Sequence, residues 1–381
     1  MKTIYLDHAA TSPIAPEVVT VMTEAMQSYY GNASSIHAAG REARKQLDAA
    51  RATLANSIHC HPNELILTSG GTEADNTALI GTARARATEG KHIITTQIEH
   101  HAVLHACEKL QREGFDITYL PVDEKGQVRV DDVKAALRDD TILVSIMYGN
   151  NEVGTLQPIA EIGALLQSHS AVFHTDAVQA YGLIDLNVNE LHVDLLSVSA
   201  HKLNGPKGIG FLYVKQGSKV QPLLVGGSQE KKRRAGTENI AGVIAFAKAV
   251  QLAVSSREQK VAEYTRYKQL LLEQFELANI AYKVNGHETD VLPHVFNVTF
   301  EGTDVESFLI NLDMAGVLVS SGSACTAGSI DPSHVLVAMF GQNAVELRSS
   351  IRFSFGLGLS DEQVVEAGKR TAQIVNRLVT K

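Results

Sequence analysis

The chain has 381 residues, of which 44% are hydrophobic and 20% charged, a composition typical of a globular protein with more than one hydrophobic core. Its net charge of -8 argues against a broad nucleic-acid-binding surface, and no apolar run reaches the roughly 20 residues that span a bilayer. The three cysteines, Cys60, Cys107 and Cys325, lack paired spacing, so a disulfide framework is not expected. Because the N-terminal residues lack the apolar core of a secretion signal, we expect a cytoplasmic protein with no membrane partner.

Short β-rich runs alternate with helix-like segments between about residues 60 and 215. Such alternation predicts crossover helices on a mainly parallel sheet, which is an α/β fold. The expected strands are Glu64–Thr68, His92–Thr96, Ile117–Pro121, Thr141–Met147, Ala171–Thr175, Val193–Ser199 and Ile209–Val214.

The pattern changes after this region. An amphipathic segment over residues 256–279 predicts a long helix that leads away from the sheet, and Ser360 with Gln363 forms a capping-box pattern before the last helix. We therefore predict a large domain over residues 16–257 and a smaller α+β domain formed by residues 1–15 and 258–381. The strands expected in the smaller domain are Pro293–Phe300 and Ile351–Phe355.

The run Ser69-Gly-Gly-Thr-Glu73 follows an expected strand and precedes a helix-like segment. Small residues let backbone N–H groups approach an anion, and a helix N-terminus favours negative charge, so Thr72 is a candidate phosphate ligand. Taken alone, the motif is better explained as a strand-to-helix turn capped by Thr72. The sequence contains neither a Walker pattern nor a G-x-G-x-x-G fingerprint, which disfavours nucleotides as ligands.

Histidines cluster in the run from Glu99 to Cys107. His101 and His105 have metal-ligand spacing on a helix, but no H-E-x-x-H arrangement accompanies them, so no metal site is predicted and both are expected to be structural. His100, at a strand-to-helix junction, could instead stack on a planar ring and exchange protons near neutral pH.

Lys202 follows an apolar run and enters a Gly-rich turn, and Asp176 ends another apolar run. A lysine screened from water is suited to Schiff-base chemistry, because desolvation disfavours its ammonium form. The coenzyme that needs both a lysine and an acidic partner for a ring nitrogen is pyridoxal 5′-phosphate. Each residue alone is more simply an ordinary charge at a strand end, so the prediction depends on the two together.

Small residues surround Cys325 over the segment of about residues 320–331. Such a segment has little side chain to pack, which predicts a mobile loop with an exposed thiol that can act as a nucleophile. The alternative is a buried small residue in a tight turn. Cys60 and Cys107 are expected to be structural thiols.

Taken together, these motifs resemble those of the cysteine desulfurases, fold-type I pyridoxal-phosphate enzymes of the NifS/IscS-like group in the class V aminotransferase family. The likeness runs nearly end to end. The segments that carry it are Tyr5–Thr11, Gly31–Ser35, the Thr72 turn, Glu99–His100, Asn150–Gly154, the Asp176 and Lys202 motifs, Arg234–Asn239, Cys325 and Arg348–Arg352.

This resemblance implies that Lys202 binds the cofactor aldehyde and moves the substrate Cα proton, while Asp176 keeps the ring nitrogen protonated. It implies that His100 stacks on the ring as an acid/base and that Gln179 contacts the ring hydroxyl oxygen. The residues it implies for the phosphate are Thr72, Ser199, His201 and, from the neighbouring subunit of a homodimer, Thr237.

The substrate carboxylate is expected on Arg352, helped by Asn151 and Asn32. Alternation in residues 351–355 supports Arg352 independently, because period two sends the apolar residues to one face and Arg352 to the other. A guanidinium can hold a carboxylate through two parallel hydrogen bonds.

The activity implied is removal of sulfur from L-cysteine, which leaves L-alanine and a persulfide on Cys325 for an acceptor protein. The acceptor would be an iron–sulfur scaffold or a tRNA thiouridylase, and the sequence does not decide between them, since the tail lacks the extension by which some relatives dock a scaffold. Cys325-Thr-Ala departs from the family's Cys-Thr-Ser pattern. The alternatives are a selenocysteine lyase or aminotransferase on the same fold and, in another class, a non-catalytic sulfur-assembly scaffold.

Overall fold

The computed structural model of the protein describes residues 3–321 and 332–379, together with the backbone of residues 325–326 and 329–330. The α-helices in these residues are α1 (Pro16–Ser28), α2 (Ala38–Asn56), α3 (Gly71–Ala85), α4 (His101–Arg112), α5 (Val130–Ala136), α6 (Ile159–Leu166), α7 (Ile240–Ser255), α8 (Arg257–Leu277), α9 (Val305–Met314), α10 (His334–Phe340), α11 (Glu346–Ser349) and α12 (Asp361–Val379). The strands are β1 (Ile4–Tyr5), β2 (Leu65–Thr68), β3 (His92–Thr96), β4 (Asp116–Leu120), β5 (Thr141–Ser145), β6 (Val172–Asp176), β7 (Leu195–Ser199), β8 (Gly210–Val214), β9 (Lys283–Asn285), β10 (Val295–Thr299), β11 (Val317–Leu318), β12 (Cys325–Thr326), β13 (Ser329–Ile330) and β14 (Ser350–Ser354).

The central sheet has seven strands in the order β2-β8-β7-β6-β5-β3-β4. Strands β4, β3, β5, β6 and β7 run parallel to one another, whereas β8 is antiparallel to both β2 and β7. Strands β2, β3 and β5 to β8 are buried along their whole length, as expected when helices cover both faces of a sheet. The predicted α/β fold with a mainly parallel sheet is confirmed.

The predicted strands end within two residues of the observed ones, and the differences have a physical cause. Met147 is as buried as the strand before it, yet β5 ends at Ser145. Before β7, the Asp194 carboxylate accepts a hydrogen bond from the Phe173 backbone N–H at 2.9 Å, and the ladder begins one residue later. At these two ends one backbone N–H donates to a side-chain carboxylate instead of a neighbouring strand, since Met147 donates to Glu99 Oε1 at 3.0 Å as Phe173 does to Asp194.

A second apolar cluster holds the C-terminal part of the chain together. Its sheet has the antiparallel order β14-β10-β9, and β1 from the N-terminus pairs in parallel with β11. Phenylalanine rings fill the space between this sheet and helices α8, α9 and α12. The fully buried members are Phe275, Phe300, Phe308, Phe353 and Phe355.

The two largest apolar clusters draw on different parts of the sequence. The cluster on the central sheet runs from Ala15 to Ala253, and the other takes Ile4, Leu6 and members between residues 264 and 375. The domain boundaries at residues 15/16 and 257/258 stay a prediction, which this distribution supports.

Two helices of the C-terminal part begin close to the predicted positions. Helix α8 lies inside the predicted segment 256–279, and at α12 the Ser360 N–H donates to Gln363 Oε1 at 3.0 Å while the Gln363 N–H donates to Ser360 Oγ at 3.4 Å. The predicted capping box is therefore present.

Among the described residues no single helix is long and apolar enough to cross a membrane. Only the pair α7 and α8, bent by 70° at their junction, meets the length and composition test together.

The phenylalanine cluster gives a stability prediction. Phe300→Ala should lower the free energy of unfolding by about 3–5 kcal/mol, because the ring is fully buried and packs on Phe275 and Phe308 with centroid distances of 5.2 and 5.4 Å. Urea denaturation of the unaltered protein and of Phe300→Ala, both without cofactor, measures the difference in the free energy of unfolding. Leu277→Ala is the control, since its side chain is 80% exposed and its removal should cost less than about 0.5 kcal/mol. Equal losses in the two variants would contradict the assigned core.

Candidate active site

A cavity of about 400 Å³ opens where β6 and β7 end, between the central sheet and β14. This is the edge at which ligands bind in open α/β sheets, because the carboxyl ends of parallel strands meet there. The sequence-predicted residues that line it are Thr72, His100, Asn151, Asp176, Gln179, Ser199, His201, Lys202 and Arg352. The structure thus brings nine of the predicted site residues together.

The turn before α3 forms one wall of the cavity. The N-cap of α3 is Gly70, whose φ of +144° lies in a region that favours glycine, and among the described residues no side chain caps this helix end. Thr72 therefore is not the cap, contrary to the simpler interpretation of the motif, and instead lines the cavity in the first helical turn. The helix N-terminus faces Ser199, whose Oγ lies 3.4 Å from where a Cβ on Gly70 would stand.

Lys202 lies in a short 3-10 turn (Ala200–Leu203) that directly follows β7. Its Nζ donates hydrogen bonds to the backbone carbonyls of Ala9 and Ala10, the second at 2.8 Å. Burial, assisted by the positive charge of Arg352, lowers the pKa of Lys202 to about 8. About a tenth of the amine is therefore uncharged at pH 7, far more than for an ordinary lysine, and the uncharged form is the nucleophile.

Two buried carboxylates share the floor of the cavity. Asp176 ends β6, its Oδ1 accepts a hydrogen bond from the Val178 N–H at 2.9 Å, and burial raises its pKa to about 6. Asp75 of α3, which the sequence analysis did not single out, also lines the cavity and is 1% exposed. Burial first, and then the charge of Asp176, raise the pKa of Asp75 well above its usual value. The sequence feature that could have identified Asp75 is its position three residues after Thr72, about one helical turn, which places both side chains on one face of the helix.

A neutral histidine underlies these carboxylates. His174 is fully buried, with Nδ1 2.8 Å from Ser145 Oγ and Nε2 3.0 Å from Ser197 Oγ. Burial lowers the pKa of His174 to about 3, so it brings no charge to Asp75, whose Oδ1 is 3.7 Å away. The positive charge that stabilises the ionised form of Asp176 comes from Lys202.

His100 is the N-cap residue of α4. Its Nδ1 accepts a hydrogen bond from the Ala102 N–H at 3.1 Å, which places the proton of the neutral ring on Nε2. Burial, followed by the charge of Lys202, lowers the pKa of His100 to about 4. At neutral pH the ring is therefore uncharged and has one N–H to offer a ligand.

Gln179 and His201 are each held by a hydrogen bond to the N-terminal segment. Gln179 Nε2 donates to the Ala9 carbonyl at 3.0 Å, and its Oε1 lies 3.1 Å from His294 Nε2, so the amide orientation is fixed at both ends. His201 Nδ1 is 3.1 Å from Thr11 Oγ1. Burial lowers the pKa of His201 to about 4, which leaves it neutral.

Arg352 faces the cavity from β14, while Ile351 and Phe353 point into the apolar cluster, as the period-two pattern predicts. Its Nη2 donates to Asp7 Oδ1 at 2.9 Å and its Nη1 to the Asn151 carbonyl at 2.8 Å. Nε is buried and has no hydrogen-bond partner among the described residues. Asp7 lies in the Tyr5–Thr11 segment that carries the family resemblance, and no local sequence pattern predicts its pairing with Arg352.

Three predicted site residues are not placed in this cavity. Asn32 is exposed, and its Oδ1 accepts a hydrogen bond from the Ser34 N–H at 2.8 Å. Thr237 lines a separate cavity of about 180 Å³ with Ser69 and Arg234. The backbone of Cys325 pairs with Ile330, and its side chain lies outside the described residues.

A group of histidines stands at the mouth of the cavity. The ring of His101 lies 5.1 Å from that of His105 and 4.8 Å from that of His334, and both His101 and His334 line the cavity. In the described part of the chain no set of three or more potential ligands could hold a metal ion. His101 is exposed beside the site, and its expected structural role stays a prediction.

Comparison with known proteins assigns the family. The aminotransferase class-V profile matches residues 4–366. A cysteine desulfurase IscS of Dictyoglomus turgidum is 46% identical, with 99% of this chain and 95% of that protein covered. A solved NifS-like protein has a TM-score of 0.92 at 32% identity, covering 99% and 100% of the two chains, and the solved structure of SspA in complex with cysteine has a TM-score of 0.82 at 34% identity, covering 93% and 99%. The chain therefore belongs to the class-V aminotransferase family, within its NifS/IscS-like cysteine desulfurases.

Proposed function

We propose that this protein is a pyridoxal-phosphate-dependent cysteine desulfurase, which converts L-cysteine to L-alanine and leaves the sulfur as a persulfide on Cys325. The observation that carries the proposal is one cavity containing a lysine of lowered pKa, a buried aspartate and an arginine. A lysine and an aspartate meet the needs of the cofactor, and an arginine meets those of an amino-acid carboxylate.

The residues present fit pyridoxal phosphate. Lys202 would bond to its aldehyde, Asp176 would pair with its ring nitrogen, Gln179 has a second amide hydrogen for the ring hydroxyl oxygen, and His100 would stack on the ring. The phosphate would lie at the N-terminus of α3, where the dipole favours an anion. The side chains proposed for it are Thr72, Ser199 and His201, with Thr237 from the neighbouring subunit of a homodimer.

When bound, the cofactor supplies an electron sink that makes the substrate Cα–H acidic. The protein supplies the groups that accept and donate protons. Lys202, whose pKa burial lowers to about 8, would be the base that accepts the Cα proton and returns it near neutral pH. His100 provides the second proton-carrying group through Nε2.

Arg352 would orient the substrate by binding its carboxylate. Asn151, which also lines the cavity, would add a polar contact, and Asn32 would join after a movement of its loop. The incoming carboxylate must share or replace the present ion pair with Asp7. Because Arg352 is only 4% exposed, the substrate carboxylate would meet a desolvated charge, which strengthens the pairing.

Cys325 would carry the sulfur-transfer step. Its thiolate attacks the sulfur of the bound cysteine, so that an S–S bond forms, the substrate C–S bond breaks, and that electron pair remains on carbon. Protonation of this carbon gives alanine, and the sulfur remains on Cys325 for an acceptor protein, either an iron–sulfur scaffold or a tRNA thiouridylase. We place this reaction in the cytoplasm.

Lys202→Ala should abolish the visible absorbance of the lysine-bound cofactor and lower alanine formation by about 10³-fold, since both the bonding amine and the proton carrier are lost. Absorbance spectra and an alanine assay measure the two effects. Lys207→Ala is the control, because Lys207 is an exposed lysine only five residues further along the chain. Undiminished turnover in Lys202→Ala would overturn the proposed function.

Cys325→Ala should keep the cofactor absorbance and its response to cysteine, while persulfide disappears and alanine formation falls by about 10²-fold or more. Cys60→Ala should behave as the unaltered protein, because burial raises the pKa of Cys60 to about 12 and keeps it protonated. Persistent turnover in Cys325→Ala would favour a selenocysteine lyase or an aminotransferase. Absence of any chromophore after adding the cofactor would favour a non-catalytic scaffold.

Cofactor capture by the apoprotein should depend on pH in a defined direction. The uncharged amine of Lys202 reacts, so the rate should rise about tenfold per pH unit below the pKa of about 8 and level off above it. Stopped-flow absorbance follows the reaction. Because the charge of Arg352 helps to lower the pKa of Lys202, Arg352→Gln should raise the pH at which the rate levels off. A rate that still rises steeply at pH 10 would contradict the lowered pKa.

A further inference from the structure

The chain segment that contains Cys325 begins next to the substrate arginine. The Arg352 N–H donates to the Ser320 carbonyl at 2.7 Å, and the Ser320 N–H donates to the Arg352 carbonyl at 3.2 Å. Ser320 also lines the cavity. The strand that presents the guanidinium therefore fixes this end of the segment through its backbone.

The other end of the segment is fixed at Ser333, the N-cap residue of α10. Its Oγ accepts a hydrogen bond from the Leu336 N–H at 3.1 Å and donates one to Glu152 Oε2 at 2.5 Å. Helix α10 itself packs on the central-sheet side, where its apolar residues contact Met147 and Val153. The described residues on either side of the Cys325 segment are thus held by β14 at Ser320 and by a helix that packs on the larger unit at Ser333.

Glu152 belongs to the same turn as Asn151. The Glu152 N–H donates to Asn150 Oδ1 at 2.8 Å, and its carbonyl accepts a hydrogen bond from Asn297 Nδ2 at 3.1 Å, so its main chain is held on both sides. The side chain is 2% exposed and lines the cavity. Burial raises the pKa of Glu152, and the Ser333 hydroxyl and the charge of Arg352 oppose that rise.

We propose that Glu152 and Ser333 are positioning residues of the sulfur-transfer step: their hydrogen bond fixes the C-terminal end of the Cys325 segment relative to Asn151 and Arg352. The substrate-binding residues and the point where the Cys325 segment is attached would then be held by one set of contacts. This inference deepens the proposed function and depends on it.

A simple helix cap does not account for the pair. The Ser333 hydroxyl oxygen caps α10 through the Leu336 N–H, which requires no carboxylate. Burying a carboxylic group costs free energy that burying an apolar side chain does not cost. Glu152 therefore adds little to stability, but its hydrogen bond fixes one arrangement of Glu152 and Ser333. The contact joins two residues that are 181 positions apart in the sequence. Glu152 lies in the turn that carries Asn151. Ser333 is the first residue after the Cys325 segment for which the structure shows a side-chain hydrogen bond.

The test compares Ser333→Ala with Ser333→Thr and Glu152→Gln. In Ser333→Ala, cofactor absorbance and the cysteine concentration that half-saturates its spectral response should change by less than about two-fold, while single-turnover alanine formation falls about 10- to 100-fold. Ser333→Thr keeps the hydroxyl and should recover most of the rate. Glu152→Gln keeps an acceptor oxygen and should be less impaired than Ser333→Ala. Thermal melting of each variant checks folding.

A second measurement does not depend on the proposed function. The rate at which iodoacetamide alkylates Cys325, followed by mass spectrometry, should rise about three-fold or more in Ser333→Ala and return in Ser333→Thr, while Cys60, which burial keeps protonated, should stay slow in every variant. Unchanged alkylation and alanine rates in Ser333→Ala would overturn the positioning role, as would a rate loss that only parallels weaker cysteine binding or a lower melting temperature. If the unaltered protein forms no alanine, the proposed function fails, and the alkylation rates alone then decide the positioning role.

Discussion

The N-terminal segment joins the two halves of the site, and the remaining geometry depends on it. Asp7 pairs with Arg352 of β14, while the carbonyls of Ala9 and Ala10 hold the Lys202 amine at the end of β7. The Ala9 N–H also binds Ser354 Oγ at 2.8 Å. One short stretch of backbone thus sets the distance between the amine that would bind the cofactor and the guanidinium that would bind the substrate.

Burial controls the charge state of this cavity more than ion pairing does. Desolvation lowers the pKa values of Lys202 and His100 and raises that of Asp176. Lys202 and Asp176 therefore titrate closer to pH 7 than they would in water, and His100 stays uncharged at that pH. Enzymes that move protons at pH 7 need such groups, and in this chain the shifts follow from placing polar side chains at strand ends under an apolar cover.

Much of the fold and the centre of the site could be predicted from local sequence. Lys202 and Asp176 follow apolar runs that form adjacent parallel strands, and the alternation around Arg352 assigns its face. These inferences need only the strand period and the rule that strand ends meet at one edge. The roles of the individual residues were implied by resemblance and stay proposals.

Contacts between distant parts of the sequence could not be predicted in the same way. The pairing of Asp7 with Arg352, and of Glu152 with Ser333, depends on how two sheets are placed against each other, which no local pattern encodes. Asp75 was missed because a single acidic residue on a helix is most often solvated. Thr237 lies outside the main cavity, so its proposed role requires a second subunit.

The separation of 345 residues between Asp7 and Arg352 has a consequence during synthesis on the ribosome. Asp7 cannot make this contact until Arg352 has been translated, although the last strand of the central sheet, β8, already ends at Val214. Contacts of such long range form late in folding. The arginine side of the cavity should accordingly close last, when β14 reaches the N-terminal segment that is already in place.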